Sequence, residues 1–294
     1  PIPRRYVEFG IADYLISMSL GVLITSVGVN LVFGSSFLSL TLLQTLLAIS
    51  AGALWAAGTV FYVYSIDCIG VGRATPIKNI TAAFGVIFGL LIFNEYRGLS
   101  NLEFVLLTLG TFFVILGGKY LGSVQGKQGV ARPSCPVDLL TPGFLGNKEG
   151  STLTAGGMLG LITAVLYGLQ SIPVRSLSFS AVGILEFLPA VGMGALITSV
   201  IADLVLTTTH TWIKVSHRGH LIAVISGVLW TGGFMGLAFG VKLIGLAISW
   251  PIAMSSTVFA VVYGLLSRAI EFEKKILSGL LLALLGITLI GASI

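Results

Sequence analysis

Two stretches of this chain, 48–66 and 221–241, each run for about 20 residues without an acid or a base, the length a helix needs to cross a hydrocarbon core of roughly 30 Å. Composition agrees: 55% of the 294 residues are hydrophobic and 9% are charged, against about 25% charged in a soluble domain. The apolar residues form no single stripe, so a water-facing surface is excluded and the chain reads as an integral membrane protein. Glycine, with 38 residues, would weaken helices in water but lets helices approach closely in lipid. The pairs Gly85/Gly89 and Gly156/Gly160 and the series Gly232/Gly236/Gly240 have the spacing of such contact faces.

Hydropathy predicts nine spans, near 11–33, 42–66, 74–93, 102–121, 153–172, 181–205, 220–242, 247–267 and 276–294. The segment 122–152, rich in Gly, Pro, Lys and Asp, lacks helical periodicity and reads as a linker. It separates a first transmembrane repeat, 1–121, from a second, 153–294.

The repeat is visible as an ordered set of matches. Ile2, Pro3, Arg5 and Phe9 align with Ile172, Pro173, Arg175 and Phe179 at an offset of 170. Residues 21–27 (GVLITSV) align with 194–200 (GALITSV) at an offset of 173. Gly52, Trp55, Gly70 and Pro76 align with Gly227, Trp230, Gly245 and Pro251 at 175, and Gly110 with Gly286 at 176. In the second copy a full span precedes the Ile-Pro-x-Arg element, and in the first copy none does. The expectation is therefore an all-α polytopic bundle of five helices per half, with a first helix missing ahead of residue 1. An odd number of crossings per half inverts the second copy relative to the first, as in secondary transporters.

Loop charge orients the chain. Twelve of the sixteen Lys and Arg residues fall on the side holding the linker, three on the other, and Lys78 lies within a span. The positive-inside rule places the linker in the cytoplasm and the C-terminus outside, in a plasma (cell) membrane. Cys68 and Cys135 form no motif and are expected as free thiols on the cytoplasmic side.

Segments 52–58 (GALWAAG), 69–72 (IGVG), 74–77 (ATPI) and 85–89 (GVIFG), with Asn94 and Glu95, resemble the glucose/rhamnose uptake branch of the drug/metabolite transporter superfamily, and more distantly the plant ureide permeases. The resemblance covers nearly the whole chain. It implies ten helices in two inverted halves, a Gly-x-x-Trp in the third helix and a Gly-rich hinge with proline in the fourth, often closed by a Glu. Trp55, Pro76 and Glu95 occupy those places, with Trp230, Pro251 and Glu271 as counterparts. The chain departs in lacking the first helix and in carrying Lys78 where a neutral residue is commoner.

Polar and aromatic residues at membrane depth are the functional candidates. Trp55 and Trp230, near mid-span, could stack on the apolar face of a sugar or a planar heterocycle, or could pack between helices. Asn79 follows Pro76 by one turn, where proline could open the backbone; Trp250, Ser255 and Ser256 lie in the corresponding region of the second copy, and Tyr62 could face the same cavity. Asp13 and Glu186 align at an offset of 173; either could accept a driving proton or lock a gate against a base. Lys78 could meet Asp13 or Asp67, or snorkel to the interface. Glu95 and Glu271, at helix ends, read as structural.

The expected function is a secondary transporter moving a sugar-like or ureide-like solute by alternating access, with the lipid bilayer and a coupling proton or ion as further partners. An exporter or exchanger of nucleotide sugars, metabolites or drugs is the alternative, and beyond it a channel or an intramembrane enzyme. No His-Glu-x-x-His or Gly-x-Ser-x-Gly motif occurs. The segment 122–128 (GSVQGKQ) is one residue too short between its glycines for a phosphate loop. His210, His217 and His220 cluster in one predicted loop, read as a polar turn with a metal site as the lesser option. No enzyme activity, cofactor, metal or nucleic acid is expected, and a homo-oligomer is left open.

Overall fold

The computed structural model describes residues 10–33, 39–122, 148–180, 183–206, 217–254, 258, 262 and 274–293, and among these every regular element is helical. In chain order they are α1 (Ile11–Val32), α2 (Leu42–Ile69), α3 (Val71–Asn79), α4 (Thr81–Ile87), α5 (Asn101–Gly122), α6 (Lys148–Ser178), α7 (Ile184–Leu206), α8 (His217–Ile244), α9 (Leu246–Met254) and α10 (Lys274–Gly291). Seven helices, α1, α2, α5, α6, α7, α8 and α10, are long and apolar enough to span a membrane. Only helices and closed barrels satisfy the backbone within lipid, so the all-helical architecture follows from the hydropathy.

The two other predicted spans differ. The stretch expected as one helix at 74–93 is α3 and α4 followed by a π-helical turn, Phe88–Ile92. At the junction Ile80 N–H bonds the Ile77 carbonyl and Ala83 N–H bonds Ile80, both three residues back. Further on, Phe93 N–H bonds Phe88, five residues back. Such tightening and widening in one helix mark a local departure from α geometry. Of the span at 247–267, only α9 is described as a continuous element, and Ser255 and Ser256 lie outside the described residues, as does Glu271. α6 runs through Pro173 instead of ending before it, which membrane helices tolerate. Cys68 is disulfide-bonded, so the expected free thiol there is not found; Cys135 lies outside the described residues. Loop charge is left to carry the orientation.

The chain divides into two compact units. The first comprises Pro1–Val60 with Leu169–Leu243, and its helices α1, α2, α7 and α8 meet on glycines. A β-carbon on Gly52 would overlap the Val191 carbonyl, and one on Gly227 the Met18 carbonyl. One on Gly21 would overlap the Val224 carbonyl, and one on Gly194 the Ile49 carbonyl. Each contact recurs in the second copy at the offsets 173 and 175. Gly232 and Gly236 behave differently: a β-carbon there meets nothing within 4 Å, so the spacing read as a contact face does not form one within this unit.

The second unit comprises Phe61–Gly168 with Ile244–Ile294. Gly110 and Gly286 bring α5 and α10 together, each lying against the other's carbonyl oxygen. Val86, Leu90, Leu107, Val114, Ala247, Ile248 and Ile290 form the buried apolar cluster around that seam. Gly85 receives the Trp250 side chain, Gly89 the Ala247 backbone, Gly156 the Ile69 side chain and Gly160 that of Ile77. Both of those sequence pairs are therefore contact faces.

Gly70 and Gly245, repeat mates, hold φ of 79° and 85° ahead of α3 and α9, a conformation costly for any residue with a β-carbon. Next to Gly245, the Glu95 carboxylate accepts from the backbone N–H groups of Leu246 at 3.0 Å and Ala247 at 2.9 Å. This carboxylate caps the first turn of α9, where the helix dipole favours negative charge. Glu95→Gln is expected to cost about 1 kcal/mol of stability, read as a lower melting temperature in detergent, while Glu95→Asp, too short to reach both donors, costs a similar amount.

Candidate functional site

In the first unit the two repeat-mate tryptophans are in contact. The Trp55 and Trp230 rings lie with centroids 4.0 Å apart at 33°, and Phe234, one turn beyond Trp230, stacks on it at 5.0 Å and 17°. Trp55 is buried at 4% exposure and Trp230 is partly exposed. At 4.0 Å the indoles leave no room for a ring between them, so a bound solute would meet the outer part of this aromatic row.

Near the start of α1, Asp13 is buried at 2% exposure. Ser17, one turn on, gives its hydroxyl proton to the Asp13 carbonyl at 3.0 Å and lies 2.8 Å from Nδ1 of His220. His220 was expected in a loop; α8 instead begins at His217, which places His220 in its first turn. Glu186, at the start of α7, accepts from Ser39 Oγ at 2.9 Å. Thus Asp13 and Glu186, matched in sequence, occupy a buried and a half-buried setting.

The second unit gathers a different set. Tyr62 on α2 is buried, and its hydroxyl lies 2.7 Å from Thr75 Oγ1 on α3. Lys78, in the last turn of α3, directs Nζ toward the Tyr62 ring at 5.5 Å and the Tyr167 ring of α6 at 5.9 Å. Its surroundings are thus aromatic. Asn79 Nδ2 donates to the Met254 carbonyl at 3.1 Å. Trp250 is almost fully buried, its face on Gly85 and its Nε1–H directed at Thr81 Oγ1 over a long 3.5 Å, a helix-packing position.

Tyr62 and Lys78 are therefore brought together, Asn79 and Trp250 are held at the packing of α3, α4 and α9, and Trp55 and Trp230 meet in the other unit. Sequence reasoning missed Tyr167, Thr75, Thr81, Phe234 and Ser17, and it read His220 as part of a polar turn. Only Phe234 carried a signal, its four-residue spacing from Trp230 on a helix. No group of three or more His, Cys, Asp or Glu able to hold a metal ion occurs among the described residues.

Comparison with known proteins gives a consistent set of relatives. The model of the family described as sugar transport protein matches residues 10–293. The "Probable glucose uptake protein GlcU" of Priestia megaterium is 26% identical over 93% of this chain and 85% of its own length. The "Glucose uptake protein GlcU" of Bacillus subtilis (strain 168) is 27% identical over 94% of this chain and 84% of its own. A protein of known crystal structure shares the fold with a TM-score of 0.70 at 12% identity, covering 97% of this chain and 89% of that one.

Proposed function

The chain belongs to the sugar transport protein family, its match running from residue 10 to residue 293, and on that premise we propose that it carries a sugar, or a polar solute of sugar size, across a cell membrane as a secondary transporter. The observation that carries this reading is the match from end to end of the described chain, through both compact units, joined by relatives named for glucose uptake. A sugar ring presents an apolar face and a belt of hydroxyls. The Trp230–Phe234 row offers a platform for the first, and the Tyr62–Thr75 hydroxyl pair offers donors and acceptors for the second.

The mechanism we ascribe to it is alternating access between two inverted halves. Its support is the reciprocity of the glycine contacts, each paired with a counterpart at the repeat offset, and the break at α3–α4, a place where a helix can change direction. Asp13, buried beside the Ser17–His220 pair, is the carboxylate we assign to proton coupling. Glu186, half-buried and bonded to Ser39, fits a gating contact better.

Proteoliposomes test all three statements. Preloaded unlabelled glucose is expected to accelerate entry of labelled glucose, since an alternating carrier exchanges solute one for one and a channel does not. An inward proton gradient is expected to drive accumulation that Asp13→Asn abolishes while leaving counterflow. Absence of both counterflow and net uptake for a panel of neutral and acidic sugars would end the sugar reading.

A further inference from the structure

Lys78 is a base in an apolar stretch, and the neighbours described around its amine are aromatic rings that carry no net charge. Tyr62 and Tyr167 present ring faces at 5.5 and 5.9 Å, which attract a cation through their quadrupoles but carry no net charge. The acids of this unit whose side chains are described are occupied elsewhere. Glu95 caps α9, Glu103 accepts from the Ser100 backbone N–H at 2.6 Å, and Asp67 is itself engaged. An ammonium at membrane depth without a counter-anion is costly, and intramembrane ionisable groups of this kind mark substrate or ion paths.

Around the ammonium stand the parts a sugar would use. Two tyrosine rings give flat apolar surface, and the Tyr62 hydroxyl with Thr75 Oγ1, 2.7 Å apart, gives a pair of groups able to donate and accept. Pro76 lies two residues before Lys78 and the α3–α4 junction two residues after it, so the charge sits where the helix backbone departs from regularity. The contacts described around the ammonium include no negative charge.

We propose that Lys78, with Tyr62 and Tyr167, binds the acid group of an acidic sugar, of the uronate or aldonate class, as the preferred substrate. The inference rests on the reading of the chain as a sugar carrier and narrows it. One ammonium balances one carboxylate, whereas a sugar phosphate, with close to two charges near neutral pH, would leave net negative charge in the same place. The carboxylate forms a charge-assisted hydrogen bond to Nζ, and the sugar ring takes the place of lipid or water against the tyrosine faces.

The test uses the intact chain in proteoliposomes and compares labelled glucuronate, glucose and glucose 6-phosphate. Glucuronate is expected to be taken up at least tenfold more efficiently than glucose and to outcompete glucose 6-phosphate. Lys78→Gln is expected to remove the preference for glucuronate over glucose, and Lys78→Arg, retaining the charge, is expected to retain it. Glucose transported in preference to glucuronate, with the same ratio in Lys78→Gln, overturns the assignment of Lys78 and leaves the sugar reading standing. Glucose 6-phosphate as the best substrate overturns the carboxylate assignment. Transport of none of the three overturns the sugar reading itself. Circular dichroism and melting of the two variants separate misfolding from altered selectivity.

Discussion

Placing even a single methyl group on Gly52 is expected to unfold or severely weaken the protein, with Gly52→Ala losing about 1–3 kcal/mol of stability and Gly52→Val giving no monodisperse protein in detergent. The β-carbon would overlap the Val191 carbonyl oxygen and come within 2.8 Å of Ala195 N. Both are backbone atoms of α7, so no side-chain rotation can relieve the overlap, and α2 and α7 must move apart. In lipid that separation is expensive, because close packing and backbone approach take the place that hydrophobic burial holds in water. Gly227→Ala, which meets the Met18 carbonyl in the same way, should show a loss of the same size if the reciprocity reflects one interface used twice. Gly232→Ala is the control: nothing lies within 4 Å of its β-carbon, and its stability should stay within about 0.5 kcal/mol of the parent. Melting curves of the three variants, read by size-exclusion retention after heating, decide the matter. Equal losses at Gly52 and Gly232 would mean that the close approach to the Val191 carbonyl is not what requires glycine at position 52, since helix propensity alone favours alanine at both sites.

Trp55→Ala is expected to remove at least nine-tenths of sugar uptake and to lower stability by about 3–5 kcal/mol, a larger change than at Trp230. Trp55 is buried at 4% exposure and stacked on Trp230, so its truncation leaves a void and frees the second indole from its fixed orientation. Aromatic pairs of this kind add about 0.5–1.5 kcal/mol beyond the area they bury. Trp230, partly exposed and stacked on Phe234, is the ring we assign to solute contact. The phenylalanine variants separate the two roles. Trp55→Phe should restore most of the stability and most of the uptake. Trp230→Phe should keep the fold but raise KM about tenfold, the equivalent of about 1.4 kcal/mol of lost binding. If Trp230→Phe leaves KM unchanged, the aromatic row is a packing element and the solute binds elsewhere.

Much of the fold was legible because lipid imposes strong rules on a chain that crosses it. Unbroken apolar stretches had to become helices, and seven of the nine predicted spans are single helices of sufficient length. The glycines matched by the repeat offsets, Gly52 with Gly227, Gly21 with Gly194 and Gly110 with Gly286, all lie against backbone, a role the matches themselves did not announce. The break in the span at 74–93 was less visible. Pro76 hinted at it, but the junction falls at Ile80 and the π turn at Phe88–Ile92, positions with no distinguishing residue.

The candidate site was legible in part. Trp55 and Trp230 could be paired as repeat mates, yet nothing in the spacing said that they stack. Lys78 stood out as the one base within a span, expected either to meet a carboxylate or to snorkel to the interface; the structure sets two tyrosine rings beside it. Glu95 read as a helix-end residue, but the helix it caps begins 151 residues later.

The amino-acid sequence alone determined that this chain lives in a membrane and that it is helical, because the cost of bare backbone in hydrocarbon leaves no other way to arrange such residues. Which face of each helix turns inward was decided only by the tertiary structure. A helix surrounded by lipid is apolar on every side, so Leu31 and Leu243, exposed at 70% and 80%, look no different in sequence from Leu15 or Leu246, buried completely. Without that contrast the periodicity that reveals an inner face in water is lost, and the partners of Trp55, Lys78 and Glu95 emerge only when the helices are seen packed.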